Sequence, residues 1–260
     1  MAEIIIAGFP KSGNTWLTRL LSDALDYPVT GVDDAIPLSA EQQIRNGDGL
    51  IRQLHLTPLH LNDSPFAARP FVASRYCLNI DKYNGEKVIH IFRDPRDVTI
   101  SVCAYWSLGN LPRVVREVIG TGSHPLWGMG WPEFMATWRD TDLPHIETRY
   151  EWLHDDTAME LRRLCDRLDL KIVKSLDEVI QRNEINTKRA AIEAMDDRTE
   201  RLPHGKGAQL TLLRAGRVGD WRAAFNEEAC EAAREVFGDW LVKLGYEESA
   251  EWQAAPIQTC

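Results

Sequence analysis

A chain of 260 residues, 44% of them hydrophobic, is long enough to bury one substantial core. Its formal net charge of −9 excludes a protein that grips nucleic acid through a broad basic face. It does not exclude a small anionic ligand, which a few cations and helix N-termini hold locally.

No run approaches the roughly 18 consecutive apolar residues of a membrane-spanning helix. Ile4-Ile5-Ile6-Ala7 is too short for the core of a signal peptide, so no membrane association is expected. The cysteines Cys77, Cys103, Cys165, Cys230 and Cys260 are odd in number and lack CxxC spacing. That pattern fits a reducing, cytoplasmic setting with free thiols rather than a disulfide framework or a zinc site.

In chain order, residues 3–7 read as a buried strand and 8–15 as a Gly/Ser/Asn loop. Trp16, Leu17, Leu20, Leu21 and Leu25 then recur at helical spacing. Residues 27–70 are irregular. Pro70–Ser74 reads as a second strand, and Lys87–Phe92 as a third that ends in the polar turn Arg93-Asp94-Pro95. A helix carrying Val98, Ile100, Val102, Tyr105 and Trp106 follows, and a fourth strand is expected near 145–150. Residues 197–220 read as a loop. A final helix runs from about Glu227 to Leu244 and stops at Gly245. Without repeats or a linker, residues 1–260 are expected to form a single α/β domain.

Gly8-Phe9-Pro10-Lys11-Ser12-Gly13-Asn14-Thr15 joins the first strand to its helix. Backbone N–H groups there, with the positive end of the helix dipole, make an anion site. The spacing is close to the Walker pattern GxxxxGK[ST], but Asn14 stands where the Walker lysine should be, and the lysine lies within the loop at Lys11. That speaks against an ATPase or kinase. A second strand–turn–helix block runs from Val88 to Ser101, in which Arg93 and Ser101 could converge on one phosphate.

These blocks resemble the sulfotransferases that use 3′-phosphoadenosine 5′-phosphosulfate (PAPS). Pro10-Lys11-Ser12-Gly13-Asn14-Thr15-Trp16 is similar to the family's 5′-phosphosulfate loop, and Arg93 to Ser101 to its 3′-phosphate motif. Arg149-Tyr150-Glu151 resembles the Tyr-Glu-Asp stretch. The segment from Arg214 to Trp221 resembles the C-terminal Arg-Lys-Gly-x-x-Gly-Asp-Trp block, with Ala215 in place of lysine. Gly130-Trp131 followed by Trp138 echoes a tryptophan-spaced helix. The matches run in order from residue 4 to about 225.

The resemblance implies a parallel four- or five-stranded sheet flanked by helices, a P-loop-like sulfotransferase fold. It implies transfer of a sulfuryl group from PAPS to a hydroxyl or amine of a small-molecule acceptor, leaving 3′,5′-adenosine bisphosphate (PAP), in line and without a metal. Pro10, Lys11, Ser12, Gly13, Asn14 and Thr15 would hold the 5′ end. Arg93, Ser101, Arg214, Ala215 and Gly216 would surround the 3′-phosphate, with Arg217 a substitute for the missing lysine. Trp16 would stack on adenine, with Tyr150 nearby. A homodimer is left open.

Lys11 is the electrostatic catalyst in this reading. The general base is unassigned, because the family's histidine position here is Arg75, an arginine that stays protonated. His60 is the first candidate, with His55 and Asp81 as others, and His90 is read as structural. No metal-ligand cluster is evident. Trp106, Leu108, Leu111, Trp127, Met129 and Tyr76 are candidate walls for an acceptor pocket. Arg189, Arg198, Arg201 and Lys206 make the late loop basic enough to serve as a lid. The alternatives are a P-loop nucleotide or small-molecule kinase, and a catalytically inactive nucleotide-binding protein.

Overall fold

The computed structural model describes residues 2–27, 29–30, 49–54, 87–123, 129–195, 206–207, 210, 213 and 215–252. The chain forms two compact units, residues 1–92 with 142–216 and residues 93–141 with 217–260.

The first unit is built on a parallel sheet. Its strands are β1 (Ala2–Ala7), β2 (Val29–Thr30), β3 (Gly49–Leu54), β4 (Lys87–Phe92) and β5 (Ile146–Arg149), in the order β2-β3-β1-β4-β5. All the pairings are parallel, with Ala7 opposite His90 and Phe92 opposite Arg149. The apolar runs of β1 and β4 are wholly buried from Ile4 and Val88 onward, as parallel strands covered on both faces should be.

Helices α1 (Asn14–Leu25), α5 (Tyr150–Asp155), α6 (Thr157–Arg167), α7 (Leu176–Asn183) and α8 (Ile185–Ala194) belong to this unit. Ile4, Ile6, Ile89 and Ile91 of the sheet pack with Leu17, Leu20, Leu21 and Leu25 of α1, together with Leu153, Leu161, Leu164 and Val179. A buried polar anchor fixes α1 sideways. Asp23 accepts from Arg182 Nε at 3.0 Å and from Asn183 Nδ2 at 3.1 Å.

The second unit is helical. It holds α2 (Pro95–Trp106), α3 (Leu111–Arg113) running into a π-helical segment Val114–Gly120, α4 (Trp131–Arg139), α9 (Trp221–Ala224) and α10 (Glu227–Lys243). Its core is aromatic. Trp131 is fully buried and meets the rings of Phe237 and Trp240 edge-on, at 5.7 and 6.0 Å. The last helix ends as its sequence requires. Gly245 (φ 71°) donates to Val242 and Tyr246 donates to Leu241, a pair of bonds that needs a left-handed residue in the middle.

The expected strands at 3–7, 87–92 and near 145–150 are present. The strand expected at 70–74 lies outside the described residues. β2 and β3 fall in the stretch read as irregular. Two residues cannot display a period, and the polar Arg52 and Gln53 interrupt the apolar character of Gly49–Leu54. Among the described residues no helix is long and apolar enough to cross a membrane.

Candidate functional site

The sheet order decides where a ligand can sit. β1 runs to β2 and β3 on one side and is paired with β4 on the other. The chain therefore reverses its direction of travel across the sheet beside β1. In open α/β sheets the crevice at the carboxyl ends of such strands is the binding position. The loop leaving β1 is Gly8–Gly13, and β4, its neighbour, ends at Phe92 just before Arg93.

The loop is a shaped object. Ser12 N–H donates to the carbonyl of Phe9 at 3.2 Å, closing a turn with Pro10 second and Lys11 third. Lys11 has φ 71°, which that type II turn demands at its third position and which a non-glycine residue adopts at a cost of about 1 kcal/mol. Gly13 follows at φ 98° and caps α1 with no side-chain partner. The first turn of α1 contains no acidic residue, so the positive end of its dipole is uncompensated. Ser12 Oγ is buried and has no hydrogen-bond partner among the described residues.

Asn14 explains the departure from the Walker pattern. Its Nδ2 donates to the carbonyls of Gly8, at 2.9 Å, and Phe9, at 3.2 Å. The side chain in the lysine's place thus ties the loop to itself. Gly8 must be glycine, since a Cβ there would lie 2.3 Å from Asn14 Oδ1 and 2.4 Å from the carbonyl of Ile91. Thr15 and Trp16 occupy the first turn of α1, both half-buried.

Tyr150, which opens α5 directly after β5, joins this loop to the late glycine segment. Its ring lies 5.6 Å from that of Trp16, and a Cβ on Gly13 would meet its edge at 2.5 Å. Its hydroxyl donates to the carbonyl of Gly216 at 2.6 Å. Gly216 has φ 63°, and any Cβ there would strike Ile185 at 2.2 Å. Ala215 is half-buried beside it.

In the second unit, the Arg93–Asp97 motif meets the Gly219-Asp220-Trp221 motif. Arg93 is buried and donates from Nη2 to the carbonyl of Arg217 at 2.6 Å, with Asp97 Oδ2 3.7 Å away. Asp97 accepts from the backbone N–H of Gly219, at 2.7 Å, and of Trp221, at 3.1 Å. Burial pushes the Asp97 carboxyl above the usual carboxylate range, against the opposing pull of Arg93 and these amides. Asp94 caps α2 by accepting from Arg96 N–H at 2.9 Å, with Pro95 first in the helix.

The Arg96 guanidinium is wholly buried. It pairs with Asp94 and Glu247 and lies 3.8 Å from the ring of Trp221 and 4.5 Å from that of Trp252. Although burial opposes its charge, the two carboxylates hold its pKa above the ordinary value. Ser101 is half-buried on α2, two turns after Asp94.

Asn14, Arg93 and Tyr150, expected from the sequence as ligand contacts, also brace the backbone around them, and Arg96 and Asp97 add bracing that the sequence does not announce. The signal available was Asp94-Pro95, a helix-start signature. His60, with His55, Arg75, Asp81 and Arg214, lies outside the described residues. So do Tyr76, Trp127, Arg198 and Arg201 of the expected pocket and lid. Two lid cations have internal partners. Lys206 donates to the carbonyls of Glu193 and Met195 at the end of α8, and Arg189 donates to that of Leu213. Met129 is buried, as core.

Comparison with known proteins bears on these elements together. The family model described as "Sulfotransferase domain" matches residues 2–245, across both units. Rat sulfotransferase 2A1 is 24% identical over 258 residues, covering 90% of this chain and 83% of the relative. Arabidopsis thaliana cytosolic sulfotransferase 8 is 26% identical, with 87% and 72% covered. The crystal structure of mouse sulfotransferase SULT7A1 complexed with PAP superimposes with a TM-score of 0.61 at 17% identity, covering 92% of this chain and 84% of that one. Retinol dehydratase in complex with androsterone and PAP gives 0.56 at 14% identity, with 92% and 80% covered. The parallel sheet, the braced loop after its first strand and the match of the family model along nearly the whole chain agree: this protein belongs to the sulfotransferase family.

Proposed function

We propose that the chain transfers a sulfuryl group from PAPS to a hydroxyl or amine of a small-molecule acceptor, and that residues 1–260 serve as a single sulfotransferase domain. The observation that carries this reading is the loop after β1: an anion cradle at a helix N-terminus, closed by Asn14 on its own carbonyls, with the lysine at Lys11. A kinase needs a lysine where Asn14 is committed to Gly8 and Phe9.

The residues present fit the 5′ end of such a donor. Ser12 Oγ is buried without a partner among the described residues, Gly13 leaves the helix without a side-chain cap, and no acid in the first turn opposes an anion. Bound PAPS would supply an electrophilic sulfuryl group, with PAP as its leaving group. The N–H groups of Asn14, Thr15 and Trp16 open α1 and donate to the 5′ phosphate. Lys11 places an ammonium in the turn, where negative charge develops on the departing oxygens. Arg93, Ser101, Arg214, Ala215 and Gly216 serve the 3′-phosphate, and Trp16 and Tyr150 the base. For the acceptor's proton, the sequence offers His60 first. PAP is present in the related crystal structures, and retinol dehydratase has been crystallised with the small apolar alcohols androsterone and retinol, which supports a small-molecule acceptor.

Calorimetric titration with PAP, run beside ATP-magnesium, tests the reading. Micromolar one-to-one binding of PAP with little response to ATP is expected. Preference for ATP-magnesium would return the protein to the P-loop kinases.

A further inference from the structure

The first unit holds a second constellation of chemistry-bearing side chains, away from the β1 loop in sequence. His90 on β4, His145 just before β5 and Glu147 on β5 each offer one ligand atom, and these atoms lie within 4.8 Å of one another. The strand register sets His90 opposite Glu147, with His90 Nδ1 3.8 Å from Glu147 Oε1. The two imidazole rings meet edge-on with centroids 6.1 Å apart.

His145 is already oriented. Its Nδ1 lies 2.8 Å from the carbonyl of Leu143. A carbonyl only accepts, so Nδ1 is the donor in that contact and a metal would be bound through Nε2. A hydrogen bond of this kind from the far nitrogen is the usual support of a metal-binding histidine. The backbone carbonyl of Glu147 is held by Arg163 Nη2 at 2.8 Å, and that guanidinium is itself paired with Glu160.

We propose that His90, His145 and Glu147 bind one divalent transition ion, Zn²⁺ foremost, as a staple between β4 and β5. Two imidazoles and a carboxylate are a zinc-type donor set, which leaves the fourth position to water. Donors around tetrahedral zinc stand about 3.3 Å apart, so small side-chain rotations bring these three into place. His90 is fully buried while the Glu147 side chain is 39% exposed, so the ion has an anchored side and an open side. The staple would hold the strand that leads, three residues after His90, into Arg93. Zinc binding there is independent of the PAPS reading.

The test is calorimetry of the full chain with zinc chloride, repeated on His145→Ala and Glu147→Gln, whose side chains are partly exposed. One ion per wild-type chain is expected, weakened at least about 10-fold in either variant. Zinc in about 100-fold excess over its dissociation constant should raise the wild-type thermal midpoint by roughly 5 °C. Cobalt(II) should give the visible bands of a low-coordinate nitrogen and oxygen site. No saturable binding at micromolar zinc, binding that both variants leave unchanged, or sulfur-to-cobalt absorption from the cysteines would each overturn the site.

Discussion

The Tyr150 hydroxyl donates to the carbonyl of Gly216 at 2.6 Å, across 66 positions of sequence, while the same ring stands against Gly13 and Trp16. One side chain therefore sets the spacing between the first anion loop and the late glycine segment. Tyr150→Phe keeps the ring and removes only the bond. It should cost about 1 kcal/mol of stability and weaken PAP binding several-fold in calorimetry. Undiminished affinity with the same stability loss would reduce Tyr150 to a packing residue.

Lys11 carries the charge assigned to catalysis and stands at a positive-φ turn position, where alanine bears about the same backbone strain as lysine. Lys11→Ala should lower turnover by about 10²–10³-fold with little change in thermal midpoint. Lys11→Gly removes the same ammonium and the positive-φ strain together, so it should be equally inactive and no less stable. Wild-type turnover in either variant would remove Lys11 from the mechanism.

Restoring the Walker lysine should not restore a kinase. Asn14→Lys leaves the carbonyls of Gly8 and Phe9 without the amide that holds them, a loss of about 1–3 kcal/mol. Urea unfolding should show the variant destabilised, and calorimetry should show no gain of ATP-magnesium affinity. A stable variant that binds ATP-magnesium would mean that Asn14 does not shape the loop.

Asp97 gives a dependence of stability on pH. Its folded pKa is raised above the ordinary 3.8, chiefly by burial. The native state therefore binds more protons than the unfolded one in that window. The contribution of Asp97 is full below 3.8 and is lost as pH rises through the raised value. In urea unfolding between about pH 4 and 7, wild type should lose stability relative to Asp97→Asn as pH rises. A parallel pair of curves would show that Arg93 and the two amides already cancel the burial.

The sequence displayed the elements whose residues have strong local character. Ile4–Ile6 and Val88–Phe92 are continuous apolar runs, α1 repeats its leucines at helical spacing, and Gly245 announces the end of α10. β2 and β3 were not legible, because a strand of two residues, or one carrying Arg52 and Gln53, is made by its neighbours. The phosphate loop was legible as an anion site because glycine spacing is a local property. The bracing by Asn14 was not. An asparagine after a glycine looks the same whether its amide faces a ligand or its own backbone. The meeting of His90 with His145 and Glu147 depends on the register of two strands between which the chain forms α2, α3, a π-helical segment and α4, which no spacing reveals.

Arg96 reaches Glu247 across 151 residues of chain, and its second aromatic wall, Trp252, comes later still. At a synthesis rate of about 5–20 residues per second, that partner is made roughly eight to thirty seconds after the arginine. Through that interval Asp94 and Arg96 wait on a nascent chain whose second unit has only its first half. A ribosome stalled before Glu247 would present an unfinished charge cluster rather than a domain with a missing tail. The segment from Glu247 to Trp252 is therefore a late-made piece of the second core, and quality control that samples incomplete chains should see its absence.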